Sequence, residues 1–355
     1  MSRSVKIGNK IIDREHTCYV IAEGGINHNG DVETAKRQVM SAVEAGADAI
    51  KFQKIDADKF VSTIDHPDHY DFFKRVELSE DDFTDLSILA RKMDIDFLCS
   101  VFDPDGVDLM EDLGVPAFKV ASGELTNHPL LRKIADTGKP IILSTGMASI
   151  SEIAESIECI YESGNEQLVL LHCVSTYPAP VDVLNLRSIR YLADIFQVPV
   201  GFSDHSLDIV LPSVSVALGA KIVEKHFTLD RGQPNPDAEL SLEPEELRMM
   251  IDNIRRTEKA LGTYGKQVTD SEQELKKVAR KSIVASTNID VGEILTKEMV
   301  TLKRPAKGIH PKFFDIIEGF EAKDKIKQDE VITWEKLKEK RDPPSSPPLI
   351  ANEQL

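Results

Sequence analysis

The chain reads as an α/β protein: a (β/α)8 TIM barrel followed by a small, mainly-β module. Three observations predict this. A short β-rich run, a polar turn and an amphipathic helical stretch repeat eight times within the first 230 residues. Most of the β-rich runs are almost continuously apolar, as parallel strands buried on both faces are. After residue 280 the texture changes to short strand-like pieces between turn signals. An open, doubly wound sheet is the competing architecture, but no G-x-G-x-x-G follows the first run.

The predicted strands are 19–25, 49–53, 96–102, 117–123, 140–146, 168–173, 199–205 and 222–228. Between them, 32–45 carries small apolar residues at helical spacing and stops at Gly46. Residues 81–93 open on an acidic first turn, which suits a helix N-terminus. Residues 150–161 follow Ser149, with Glu152 three positions on, a capping-box spacing. Residues 207–218 follow Ser206 and end before Gly219. A last helix at 243–261 closes a barrel domain of residues 1–262. Residues 263–280 read as a polar, flexible linker. The module 281–340 has strand-like pieces at 282–285, 299–303 and 331–332. At about 60 residues it is near the lower size limit for independent folding, so it is expected to lean on another surface. The tail 341–355, with Asp-Pro-Pro-Ser-Ser-Pro-Pro from Asp342, is expected to be disordered.

Composition narrows the functional classes. The 355 residues carry a net charge of −17, from 43 basic and 60 acidic side chains, which argues against nucleic-acid binding. No apolar run is long enough to span a bilayer, and residues 1–10 lack the apolar core of a secretory signal. Cys18, Cys99, Cys159 and Cys173 show no metal or redox spacing, which fits a reducing cytoplasm.

Active sites of such barrels sit at the C-terminal ends of the strands. Polar residues that end apolar strands here are Glu23, Asn27, His28 and Asn29 on strand one, and Lys51 and Gln53 on strand two. Strand four adds Lys119, Ser122 and Glu124; strand five Ser144 and Thr145; strand six His172, Ser175 and Tyr177. Strand seven ends on Ser203, Asp204 and His205, and strand eight on Glu224, Lys225 and His226. Two chemistries can be assembled from them. Lys51 and Lys119, with the hydroxyls of Ser122, Ser144 and Ser203 beside glycines, suit a phosphate. His205 and His226, on neighbouring strands, suit one divalent metal with open positions. The plainer alternatives are lysines salt-bridged to neighbours, a structural His172, and turn roles for His28 and Asp237. Glu23 suits either a lysine partner or acid/base work.

These residues closely resemble the N-acetylneuraminate (sialic acid) synthase family. The matching runs are Ala22-Glu23-Gly24-Gly25-Ile26-Asn27-His28-Asn29-Gly30-Asp31, Lys51-Phe52-Gln53, Lys119-Val120-Ala121-Ser122-Gly123-Glu124 and Ser144-Thr145-Gly146-Met147. They continue with His172-Cys173-Val174-Ser175-Thr176-Tyr177-Pro178, Gly201-Phe202-Ser203-Asp204-His205, Glu224-Lys225-His226-Phe227-Thr228-Leu229-Asp230 and Pro236-Asp237. Lys303-Arg304-Pro305-Ala306-Lys307-Gly308-Ile309 resembles that family's antifreeze-like (SAF) domain.

The resemblance implies a transferase that condenses phosphoenolpyruvate with N-acetylmannosamine or a related amino-sugar aldehyde. It implies a divalent metal on His205 and His226, Mn²⁺ first, with Mg²⁺ or Co²⁺ as alternatives. Lys51, Lys119, Ser122, Ser144, Ser175 and Ser203 are then expected around phosphoenolpyruvate. Glu23 is the expected acid/base, joined by Glu124, and Gln53, Tyr177 and Asp237 contact the sugar. Arg304 would come from the partner chain of a domain-swapped homodimer. Two departures bear on the sugar rather than the reaction: Ser175 stands where many relatives have Asn, and Glu-Gly-Gly-Ile-Asn replaces the commoner Glu-Ile-Gly-Ile-Asn. The alternatives from other classes are a metal-independent Schiff-base aldolase using Lys51 or Lys119, and a non-catalytic carbohydrate-binding protein.

Overall fold

A computed structural model describes residues 4–13 and 15–339. The predicted tail, 341–355, lies outside the described residues. The chain divides into two compact units, Met1–Gly262 and a second beginning at Thr263.

Eight strands close the first unit into a barrel: β1 (Tyr19–Gly25), β2 (Ala49–Lys54), β3 (Asp96–Val101), β4 (Phe118–Val120), β5 (Ile141–Ser144), β6 (Leu168–Cys173), β7 (Val200–Asp204) and β8 (Ile222–His226). Every neighbouring pair is parallel, and β8 closes on β1 with His226 opposite Glu23.

Side chains alternate between the two faces of each strand. Outward residues such as Val20, Ile50, Cys99, Phe118, Leu143, Leu170, Phe202 and Val223 pack with the helices in the main core. Inward residues Tyr19, Ile21, Ala49, Leu98, Ala117, Ile142, Val169, Leu171 and Ile222 form a second core inside the barrel. A hairpin of Val5–Ile7 and Lys10–Ile12, which the sequence reading does not assign, adds Val5, Ile7 and Ile12 to that inner core. Each strand's inward file therefore starts apolar, and the next inward positions are free to be polar.

The helices start and stop for local reasons. Asp31 accepts the amides of Glu33 and Thr34 to open Val32–Ala45, and Gly46, at φ 85°, closes it. Capping boxes of Ser79 with Asp82 and Ser149 with Glu152 open Glu80–Lys92 and Ile150–Glu162. Strand four ends sooner than predicted, because Ser122–Glu124 turns as a single 3-10 helix after Val120. The helix predicted at 207–218 is only Leu211–Ala217. Its would-be first turn is committed elsewhere: the Asp208 carboxylate takes the Val210 and Leu211 amides, and Lys225 takes the Ser206 and Asp208 carbonyls.

In the second unit, the antiparallel pairs Ser282–Ala285 with Val300–Lys303 and Glu321–Ala322 with Leu337–Lys338 surround a core that includes Ile283, Ile289, Leu295, Ile317 and Ile332. The segment 263–280, predicted as a flexible linker, contains a helix, Asp270–Ala279. None of its residues is buried; the Thr269–Glu272 capping box, the Glu274–Lys277 charge pair and the Ala306 amide donating to the Lys277 carbonyl at 2.9 Å hold it in place of packing.

Candidate active site

At the C-terminal rim the inward files continue as Glu23, Lys51, Ser100, Lys119, Ser144, Cys173, Ser203, His205, Glu224 and His226, which line one cavity together with Gln53, Ser122 and Tyr177. Glu23, Lys51, Lys119 and Glu224 are all within 5% of full burial, so each charge needs a partner. Glu23 lies 2.7 Å from the Lys51 ammonium and accepts from the Gln53 amide at 3.0 Å. Lys51 also donates to Ser100 Oγ at 2.9 Å. Glu224 lies 3.6 Å from Lys51 and 3.5 Å from Lys119, and accepts from Ser203 Oγ at 2.8 Å. The salt-bridge reading of the lysines is therefore part of the site: two ammonium groups are held around Glu224.

Glu224 is a residue that sequence reasoning left without a role. A usable signal is the period of two in β8, where Ile222, Glu224 and His226 share the inward face and Lys225 points outward. Ser100 and Cys173 belong to the cavity for the same reason.

The two carboxylates are driven apart. Burial, with Glu224 nearby, raises the pKa of Glu23 despite the attraction of Lys51. Burial also opposes ionisation of Glu224, but Lys119, Lys51 and the Ser203 hydroxyl outweigh it and keep it ionised. One carboxyl ready to carry a proton beside one that stays charged is an arrangement suited to acid/base chemistry. Burial pushes Lys119 down, whereas Glu224 and Glu23 outweigh burial at Lys51 and push it up.

The imidazoles of His205 and His226 lie 5.3 Å apart, centroid to centroid, and Tyr177 packs on His205 at 4.3 Å. Nδ1 of His205 is 3.0 Å from the Val174 carbonyl, which fixes that ring's orientation. Nδ1 of His226 is buried without a hydrogen-bond partner. Burial, with His205 and Lys51 close by, holds His226 well below its usual pKa, so it is neutral. A neutral imidazole with an unsatisfied buried nitrogen beside a second, oriented imidazole fits a divalent cation. Among the described residues no group of three or more His, Cys, Asp or Glu side chains forms a metal cage. Such a cation would therefore depend on these two imidazoles and on oxygen donors that enter with substrate.

Asp237 reaches the same rim, its Oδ2 3.7 Å from His226 Nδ1. Asn235 holds its loop by donating to the Ile26 carbonyl and Asn29 Oδ1, both at 2.8 Å. Gly25, at φ 52°, leaves the room: a Cβ there would stand 3.1 Å from Asp237 and 3.3 Å from Glu23. Burial and the Glu23 charge push Asp237 up to about 6. Ser122 accepts the Gly146 amide at 3.0 Å, and Ser144 Oγ is buried without a partner. Ser175 lies beside Cys173 at 3.9 Å.

Of the predicted site residues on the barrel, Glu124, Ser175 and Asp237 do not themselves line this cavity. Glu124 sits in the 3-10 turn and accepts from Asn127 at 2.7 Å. Arg304 is exposed and follows the strand Val300–Lys303 of the second unit. His172 faces outward, 2.7 Å from the Leu184 carbonyl, in the structural role foreseen for it.

Comparison with known proteins agrees with this architecture. Residues 38–266 match the NeuB family and residues 280–338 match the SAF domain. An uncharacterized protein of Methanocaldococcus jannaschii is 45% identical, over 94% of this chain and 98% of its own. The N,N'-diacetyllegionaminic acid synthase of Legionella pneumophila is 39% identical, over 90% of this chain and 95% of its own. The crystal structure of a sialic acid synthetase from Leptospira borgpetersenii superposes with a TM-score of 0.73 at 36% identity, over 78% of this chain and 95% of its own. From these matches and the barrel they coincide with, the chain belongs to the NeuB family and carries a C-terminal SAF domain.

Proposed function

We propose that this protein condenses phosphoenolpyruvate with an open-chain amino sugar, N-acetylmannosamine or a diacetamido relative of the legionaminate type, to give a nonulosonic acid and inorganic phosphate. The observation that carries the reading is the meeting of two ammonium groups, two carboxylates and two imidazoles at one rim. Similarity to the legionaminic acid synthase supports the substrate class.

Lys51 and Lys119, with Ser122, Ser144 and Ser203, hold and orient the phosphate and carboxylate of phosphoenolpyruvate, so that its methylene carbon lies against the sugar aldehyde. Ser175 borders that pocket, and Gln53, Tyr177 and Asp237 face the sugar. His205 and His226 would hold the divalent cation, Mn²⁺ first, which when bound supplies Lewis-acid polarisation of a carbonyl oxygen. The new carbon–carbon bond draws its electron pair from the enol double bond while the aldehyde's carbon–oxygen π pair moves onto its oxygen, which takes up a proton to become a hydroxyl; the phosphate-bearing carbon is left electron-poor. Glu23 takes a proton from the water that adds to that carbon, and the hemiketal phosphate then breaks its carbon–oxygen bond to release phosphate. We place the reaction in the cytoplasm, in a homodimer whose partner supplies Arg304 by domain swapping. The four cysteines are free and buried, in keeping with a reducing compartment.

The test is phosphate release from phosphoenolpyruvate and Mn²⁺ against a panel of amino sugars, in wild type and Glu23→Gln. The substitution is expected to lower kcat by about 10²–10⁴. Wild-type turnover in the variant would remove Glu23 from the chemistry, and release with none of the sugars would overturn the assignment. The depressed pKa of Lys119 favours one second reading, a Schiff-base aldolase. Borohydride trapping with pyruvate supports that rival; loss of activity in EDTA and its return with Mn²⁺ supports the condensation.

A further inference from the structure

Strand alternation sends Ser203, His205, Glu224 and His226 into the cavity and turns Asp204 and Lys225 outward, where the register pairs them across β7 and β8. Both side chains are 0% exposed and lie 2.7 Å apart. Lys225 Nζ also donates to the Ser206 carbonyl at 2.5 Å and the Asp208 carbonyl at 3.3 Å, and the other Asp204 oxygen accepts the Ser206 amide at 2.8 Å. The donors of a buried ammonium are thus committed to segment 204–208, which carries His205, from a residue adjacent to His226. The preceding outward positions of the same strands, Phe202 and Val223, are apolar. Apolar packing is commonly as stable as a buried ion pair, so stability alone does not call for a charged pair at this level.

We infer that Asp204 and Lys225 are positioning residues that set the His205 and His226 imidazoles for one divalent cation. The inference rests on the metal reading proposed above. Neither residue touches the cation; each fixes the backbone of the histidine that follows it in sequence.

The test uses the full chain stripped of metal, with Mn²⁺ as the probe, titrated by the electron paramagnetic resonance signal of the free ion. The visible spectrum of the Co²⁺-loaded protein reports coordination geometry. The variants are Asp204→Leu/Lys225→Met, which replaces the pair by apolar groups, and Asp204→Asn, which keeps the size and the bond from Ser206. The Mn²⁺ Kd is expected to rise about tenfold or more in both variants, with an altered Co²⁺ spectrum; melting in EDTA stays close to wild type in the double variant, whereas Asp204→Asn, which leaves the buried Lys225 ammonium without its counter-charge, stays folded but melts lower. A folded variant with a Kd within about twofold of wild type and an unchanged Co²⁺ spectrum overturns the inference. If the double variant does not fold, Asp204→Asn decides. If wild type binds no Mn²⁺, or its binding survives His205→Ala, the metal reading itself falls and takes this inference with it.

Discussion

His28 makes the barrel's acid stability calculable. Its ring is 2% exposed, packs 5.9 Å from the Phe52 ring, and leaves Nε2 buried without a partner. Nδ1 accepts the Gly30 amide at 3.1 Å, so a proton there would face a donor. Burial therefore lowers its pKa from 6.5 to about 4, although Asp31, Asp82 and the Gly25 backbone favour the charged form. The sign follows from proton counting. Between those two values the unfolded chain binds a proton that the folded chain refuses, so stability falls as pH falls from the unfolded value toward the folded one. Integrating that one-proton difference from about pH 7.5 to about pH 4.5 gives a loss of about 2–3 kcal/mol. His28→Asn removes the titration, and its short side-chain oxygen can still accept the Gly30 amide. The assay is urea unfolding followed by far-UV circular dichroism, in EDTA, at both pH values for both proteins. Cavity effects of the smaller side chain are the same at each pH and cancel in the difference. The variant should lose about 2 kcal/mol less than wild type on acidification. Equal losses, within about 0.5 kcal/mol, would refute the reasoning.

Three other perturbations test the fold. At Gly201 a Cβ would stand 2.5 Å from the Ile222 carbonyl oxygen and 2.6 Å from Leu171, so Gly201→Ala should cost about 2–3 kcal/mol, read as a lower urea midpoint. Gln38 is fully buried with both amide atoms unpartnered, so Gln38→Met, of similar size, should raise stability by about 1 kcal/mol in the same assay. Thr269→Ala removes one half of a capping box from a helix with no buried residue; amide exchange across 270–279 should quicken about fivefold while the barrel's urea midpoint stays put.

The sequence by itself determined the barrel and most of its rim. Strands such as 168–173 and 19–25 need both faces buried, and that demand is written into consecutive residues. Some helix starts were legible from a local cap, as at Asp31 and Ser149, but a cap alone was not enough: Asp103, Asn127 and the Thr269–Glu272 box open helices that the sequence reading did not assign. Lys51, Lys119, His205 and His226 stood out because a charge or an imidazole at the end of an apolar strand has no packing rationale. Tertiary structure alone decided who pairs with whom. Glu224 gains its importance from Lys51 and Lys119, more than 100 residues away in sequence, and Asp204 meets Lys225 only when β7 and β8 align. The shortened helix at 211–217 has the same origin: Lys225 reaches in from the next strand and takes its would-be carbonyls. Local propensities reach across one turn, whereas electrostatic partnership acts through space, and the barrel's closure supplies that space.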